Sequence, residues 1–251
     1  MLDLGTLDCA LDAGIARRAA IGLLVLATDQ TMEHEFRRLV RLDGVAVYHA
    51  RLYNDADVTP DTLAAMRPLI APTTALILPG LPLDVIAFGC TSASMVLGEE
   101  TVFAEIHKSR PGIAATTPIT AAFAAFRVLQ ARRIGVLTPY SPAVNATVSA
   151  YLTARDIDVA AFATFDKPDD REAARIDVAS IARGVGALAR STTLDAVFVA
   201  CTSLRVAESV EAIEAEAGIP VTSSDHALAW HCLRLAGITE PLGGAGRLFR
   251  L

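Results

Sequence analysis

The chain has no C-x-x-C pair, no basic stripe, no flexible linker and no low-complexity tract. Each absence removes a class of protein. Its four cysteines stand alone at Cys9, Cys90, Cys201 and Cys232, which excludes zinc-ribbon and thioredoxin-type signatures. Basic residues come as isolated pairs (Arg17-Arg18, Arg37-Arg38, Arg132-Arg133) on a chain of net charge −6, so no nucleic-acid surface is expected. The uncharged run Pro68–Leu83 is interrupted by Pro72, Pro79 and Pro82 and is too short for a bilayer, so no membrane partner is expected. Met1-Leu2-Asp3-Leu4 is acidic where a secretory signal is basic, which predicts a cytoplasmic protein. There, free thiols are the default. Glu33, His34 and Glu35 are sequence neighbours that do not share a helix face, and His226 and His231 lie five apart, so no metal site is expected. Gly184-Val185-Gly186 lacks the third glycine of a dinucleotide loop.

What is present is apolar and repeated. Of 251 residues 53% are hydrophobic, with a mean hydropathy of +0.42, enough to bury sizeable cores. The stretch Asp84-Val85-Ile86-Ala87-Phe88-Gly89-Cys90-Thr91-Ser92 returns as Asp195-Ala196-Val197-Phe198-Val199-Ala200-Cys201-Thr202-Ser203, offset by 111 residues. Upstream, Ile21-Gly22-Leu23-Leu24 matches Ile134-Gly135-Val136-Leu137 at an offset of 113. Downstream, Gly112–Thr116 matches Gly218–Thr222 at 106. Three matches in one order at nearly constant offset mark an internal duplication.

The short apolar runs Ile21–Ala27, Val85–Phe88, Ile134–Thr138 and Val197–Ala200 read as strands buried on both faces. Helical spacing predicts helices over Met32–Leu42, Ala173–Leu188 and Val206–Ala217, and over Ile119–Leu129 and Ala227–Leu235. Pro68–Pro82 reads as an ordered loop-and-strand region. The alternation predicts an α/β protein of two pseudo-symmetric halves, each a parallel sheet flanked by helices, with the active site in the cleft between them. The halves are expected at residues 1–115 and 116–223.

Ligands of open parallel sheets bind beyond the carboxyl ends of the strands, and both Cys-Thr-Ser motifs fall there. Small hydroxyl residues suit a helix N-terminus, whose free N–H groups attract a carboxylate and lower the pKa of a thiol. Each motif is therefore expected to begin a helix and hold a reactive sulfur beside an anion cradle. Cys90 and Cys201 are the expected catalytic pair; Cys9 and Cys232 lack this context and are read as structural.

These motifs, with Leu137-Thr138-Pro139-Tyr140, the following Asn145, and Thr28-Asp29-Gln30-Thr31-Met32-Glu33, resemble the aspartate/glutamate racemase superfamily, in its maleate isomerase and arylmalonate decarboxylase branch. The resemblance spans nearly the whole chain. It implies two facing α/β halves, a last segment (residues 224–251) returning to the first half, a homo-oligomer of two or more copies, and no cofactor. It further implies a small carboxylate-bearing substrate held by Thr91, Ser92, Tyr140, Thr202 and Ser203. In isomerase-like members the cysteine matching Cys90 attacks the double bond and that matching Cys201 serves as acid and base. Racemase-like members use both thiols on opposite faces of a carbon, and decarboxylase-like members keep only the second. The presence of Cys90 thus favours an isomerase or racemase over a malonate-type decarboxylase; a non-catalytic carboxylate sensor is the other alternative. The maleate isomerase pattern has Asn where this chain has Asp29, and another near Asp169-Asp170. An added carboxylate repels a dicarboxylate and favours an ammonium group, so Asp29 is expected to bind substrate. The stretch Thr28–Phe36 resembles the ectoine-utilisation branch, whose substrate would be an amino- or acylamino acid.

Overall fold

The computed structural model describes residues 1–251. In the first half β1 (Ala19–Leu26) leads through α1 (Met32–Leu39) to β2 (Val45–Leu52), then through α2 (Pro60–Ala64) and α3 (Arg67–Ala75) to β3 (Val85–Gly89). Helices α4 (Thr91–Leu97) and α5 (Glu99–Ser109) then connect to β4 (Ala114–Thr116). The second half opens with α6 (Pro118–Leu129) and runs through β5 (Arg133–Thr138), α7 (Pro142–Thr153) and β6 (Asp158–Thr164). It continues through α8 (Asp170–Ala173), α9 (Val178–Ser191), β7 (Ala196–Val199), α10 (Val210–Ala217) and β8 (Val221–Ser223). Helix α11 (Ser224–Leu235) and a 3-10 turn at Leu248–Arg250 end the chain.

Each half is a four-stranded parallel sheet, in the order β2-β1-β3-β4 and β6-β5-β7-β8. The duplication read from sequence is thus a duplication of topology. All eight residues of β1 are buried, because both faces of the sheet are covered. Ile21, Leu23 and Val25 enter one apolar core with Met32, Phe36 and residues of α11. Leu24 and Leu26 enter another with Ile70, Phe88 and Ile106. That split follows from the period of two along a strand. In the second half one core of 28 buried residues surrounds β5 and β7. Helix α11 packs against α1 and α6 and gives Leu228, Trp230 and Leu233 to the first half's core. No helix is long and apolar enough to cross a membrane.

Three predicted segments differ. Pro68–Pro82 holds a helix, α3, where a loop and strand were expected: Pro68 sits in the first turn, where its missing N–H is not needed. The helix predicted from Ala173 is broken into α8 and α9, and Asp177 restarts it by accepting from the Ser180 N–H at 2.6 Å. The helix predicted from Val206 begins only at Val210; the Val206 and Ala207 N–H groups, in the turns before it, donate to Glu35 Oε2 at 3.0 and 2.7 Å. Among the cysteines, Cys232 is buried but Cys9 is exposed, so Cys9 supports no core.

Candidate active site

The carboxyl ends of the two sheets converge, and Cys90 and Cys201 line one cleft there. Cys90 follows β3 directly and caps α4, with the Ala93 N–H donating to its sulfur at 3.4 Å. Gly89 before it has no alternative: a Cβ there would stand 2.6 Å from the Leu24 carbonyl oxygen and 2.5 Å from the Met32 sulfur. Cys201 follows Ala200 at the end of β7 and accepts from the Ser203 N–H at 3.4 Å. The residues after it form turns, with no helix until Val210, so only the first motif caps a helix as expected.

The helix end does not make Cys90 acidic, contrary to the expectation from sequence. Burial pushes its thiol up to about 12, outweighing the Ala93 and Ser92 hydrogen bonds. Burial, with the Asp170 charge, also raises Cys201. Both cysteines are only 4% exposed, and an ion loses more by leaving water than one N–H contact returns. Burial thus favours the protonated form of both.

Tyr140 closes the same cleft from the end of β5. Its loop is pinned twice at the Tyr140 carbonyl, by Asn145 Nδ2 and by Thr164 Oγ1, each at 2.8 Å. Asn145 also accepts from Thr138 Oγ1 at 2.6 Å. The phenol is held near Cys201, where it favours the thiolate, while burial and the neighbouring thiols raise its own pKa. Thr91, Ser92 and Thr202 also line the cleft, although the Thr91 hydroxyl donates to Ser224 at 2.7 Å.

Asp29 and Ser203 do not line the cleft. Asp29 is buried, and its Oδ1 accepts from Thr31 N–H and Met32 N–H at 2.7 and 2.8 Å, just ahead of α1. Burial lifts it to about 6. Ser203 Oγ donates to Asp170 Oδ1 at 3.2 Å. Asp170 lines the cleft, and the second oxygen of Asp29, Oδ2, is buried without a partner. Asp170 Oδ2 accepts from Thr28 Oγ1 at 2.7 Å, and Thr28 Oγ1 in turn accepts from Asn54 Nδ2 at 2.8 Å. The chain Asn54–Thr28–Asp170–Ser203 ties the halves together beside the sulfurs. Burial raises the Asp170 pKa, opposed by the Thr28 and Ser203 hydrogen bonds.

Asn54, Asp55 and Asp57 enter the cleft from the segment after β2, with Leu63 and Met66 behind them. This wall was missed in the sequence, although Asn54-Asp55-Ala56-Asp57 directly follows a parallel strand, where ligands gather. The lining includes three carboxylates, Asp55, Asp57 and Asp170, and no Lys, Arg or His. The space left is about 20 Å³, room for a water molecule.

This two-sheet, two-thiol arrangement has relatives. The arylmalonate decarboxylase family pattern matches residues 72–249. The chain belongs to that family. A maleate isomerase from Nocardia farcinica is 28% identical over 239 residues, covering 92% of this chain and 95% of its own. An arylmalonate decarboxylase from Bordetella bronchiseptica is 29% identical over 140 residues, or 55% of this chain and 58% of its own. Among solved structures, a mutant of the Nocardia farcinica maleate cis-trans isomerase with a covalently bound succinylcysteine intermediate superposes with a TM-score of 0.81 at 27% identity, covering 92% of this chain and 98% of that one. The family member described here is an enzyme, a maleate isomerase-like isomerase with a cysteine in each half.

Proposed function

We propose that this enzyme isomerises a small carboxylic acid bearing a positively charged nitrogen, with Cys90 as nucleophile and Cys201 as acid and base. The observation that carries the proposal is the placement of both thiols in the wall of one cleft that also presents carboxylates and no cation. The covalent cysteine adduct of the Nocardia farcinica enzyme supports addition chemistry. As substrate enters, Cys90 gives its proton to the water leaving the cleft, to be regained from water when product departs, and its sulfur bonds to one carbon of a carbon–carbon double bond. The π electrons pass to the neighbouring carbon and its carboxylate. Cys201 protonates that carbon, and the bond, now single, rotates. Cys201 then withdraws a proton, the double bond reforms, and the Cys90 sulfur leaves. No redox partner is consumed, so the chemistry proceeds without a cofactor.

Tyr140, Ser92 and Thr202 would donate to the carboxylate as charge builds on it, which is where fixed donors act most strongly. An ammonium group would sit by Asp170, Asp55 and Asp57; a dianion there would meet only like charge. An acylated diamino acid, the class implied by the ectoine-utilisation resemblance, carries the required groups, and on such a saturated carbon the same pair would act by removing and returning one proton. Proton NMR in D2O with maleate, unsaturated amino acids and single enantiomers of acylated diamino acids tests the reading. Turnover of the cation-bearing acids with deuterium uptake supports it. Preferred turnover of maleate would reject the cationic substrate, and tight binding without turnover of any compound would point to a sensor.

A further inference from the structure

The first fifteen residues form no helix or strand, and Leu2, Leu4, Leu7, Leu11 and Ile15 are each more than two thirds exposed. The segment carries Asp3, Asp8 and Asp12, with no basic side chain before Arg17. Leu4, Leu7, Leu11 and Ile15 are spaced by three, four and four, which places them on one face if the segment coils. Asp8 and Asp12 then stand one turn apart beside that face. An acidic apolar arm of this kind leaves its hydrophobic stripe without a partner in its own chain.

A matching surface lies at the far end of the molecule. Between the end of α6 and the turn from α7 to β6 is a cavity of about 570 Å³. Its wall includes Phe123, Phe126 and Ile157, and three guanidinium groups, Arg127, Arg132 and Arg155, against a single carboxylate, Asp156. Arg155 stacks on the Tyr151 ring at 3.6 Å and reaches Glu99 at 3.8 Å. Arg127 and Arg132 form no ion pair. On a chain of net charge −6 this is a local excess of positive charge around apolar rings. The cavity adjoins the start of β5, whereas the arm leaves from the start of β1. Because both sheets turn their carboxyl ends to the shared cleft, those two places face opposite ways.

We propose that residues 1–15 are an exchange arm that docks as an amphipathic helix in the arginine-lined cavity of a second copy of this chain. The leucines would lie against the partly exposed Phe123, and Asp8 and Asp12 would pair with Arg127 and Arg132. Helix-in-groove recognition has this form, and reciprocal exchange closes a twofold dimer. The proposal is independent of the assigned chemistry.

Sedimentation of the full chain tests it. The expected mass is twice 26.4 kDa for the wild type. It falls to the monomer on deletion of residues 1–15 and in the double variant Arg127→Glu/Arg132→Glu, with the far-ultraviolet spectrum of the body unchanged. The dimer dissociation constant should rise at least about 100-fold in either. Adding Asp8→Lys and Asp12→Lys to the arginine variant should restore the dimer, which a merely destabilised surface would not do. A wild-type monomer, a dimer indifferent to arm deletion, or failure of the charge swap to restore association would each overturn the proposal. So would protection of the Cys9 thiol in a monomer, because the arm would then lie on its own chain.

Discussion

Cys90 and Cys201 occupy equivalent strand ends in equivalent sheets, yet their local frames differ. Cys90 caps a helix whose Ala93 N–H donates to its sulfur. Cys201 opens a run of turns, in which the Val206 and Ala207 N–H groups donate to Glu35 reaching over from α1. The duplication has kept the position of the sulfur and let the local scaffold diverge. What the two ends share is burial, and burial sets both thiols' acidity. The reactive property therefore lies in the meeting of the two ends in one buried cleft, where substrate and Tyr140 must bring out the thiolate.

The comparison is tested hardest at the sulfurs themselves. If they have the different roles proposed, Cys201→Ala should lower turnover by about 10²–10⁴-fold and leave substrate covalently on Cys90, seen as a mass increase of one substrate in the intact protein. Cys90→Ala should be as inactive and carry no adduct. Adducts in the opposite variant would exchange the roles. Equal loss with no adduct in either, together with deuterium exchange at a saturated carbon, would favour symmetric proton transfer.

Glu35 tests whether a side chain has replaced the missing helix. Burial raises its carboxyl to about 7 from the ordinary 4.5, so the folded state keeps a proton that the unfolded state has lost. Its contribution to stability therefore falls as pH rises from about 4.5 through 7. The buried His226 and His231, each lowered to about 4, act in the opposite sense below 6.5, so the variant must be compared with wild type at each pH. Glu35→Gln should gain on wild type by about 3 kcal/mol in urea unfolding between pH 4.5 and 7.5. A difference that stays constant with pH would show that Glu35 is ionised throughout and that its hydrogen bonds dominate.

The duplication, the strands and the thiol pair were legible in the sequence because each depends on short-range pattern: an apolar run, a strand end, a repeated Cys-Thr-Ser. The errors arose where a residue answers to a distant partner. Val206 and Ala207 have helical spacing, but Glu35 claims their N–H groups from 171 and 172 residues away. Asp29, expected to bind substrate, has one carboxyl oxygen on the Thr31 and Met32 amides and the other buried without a partner. Asp170 enters the site only because Thr28, Ser203 and the Asn54 segment meet it across the halves. No spacing rule records such meetings.

The residue before each cysteine gives a sharper contrast within the repeat. A methyl group at Gly89 would collide with backbone as well as with Met32, and the Leu24 carbonyl belongs to the neighbouring strand and is not free to move. Gly89→Ala should cost about 2 kcal/mol. Ala200→Gly, which removes a methyl at the equivalent place, should cost about 1 kcal/mol through chain entropy. Comparable losses in thermal unfolding would mean that the two strand ends are packed more alike than their neighbours suggest.

The smallest effect concerns the strand ends beside the sulfurs. After β2 the cleft receives the neutral amide Asn54; after β6, the corresponding strand, it receives the carboxyl Asp170. Asp170→Asn makes the two sides alike while keeping an oxygen to accept from Thr28. If the carboxylate recognises a cationic group, kcat/KM for an ammonium-bearing acid should fall about tenfold, equivalent to about 1.4 kcal/mol, while a dicarboxylate is unaffected or improved. The wild-type preference should also depend on pH. Because burial raises the Asp170 pKa, acid neutralises this group before an exposed carboxyl. The preference for the cationic substrate should therefore weaken as pH falls in the wild type and stay flat in Asp170→Asn. A preference that is flat in both would assign recognition to Asp55 and Asp57 on the opposite wall, leaving Asp170 as the tie that holds the halves in register.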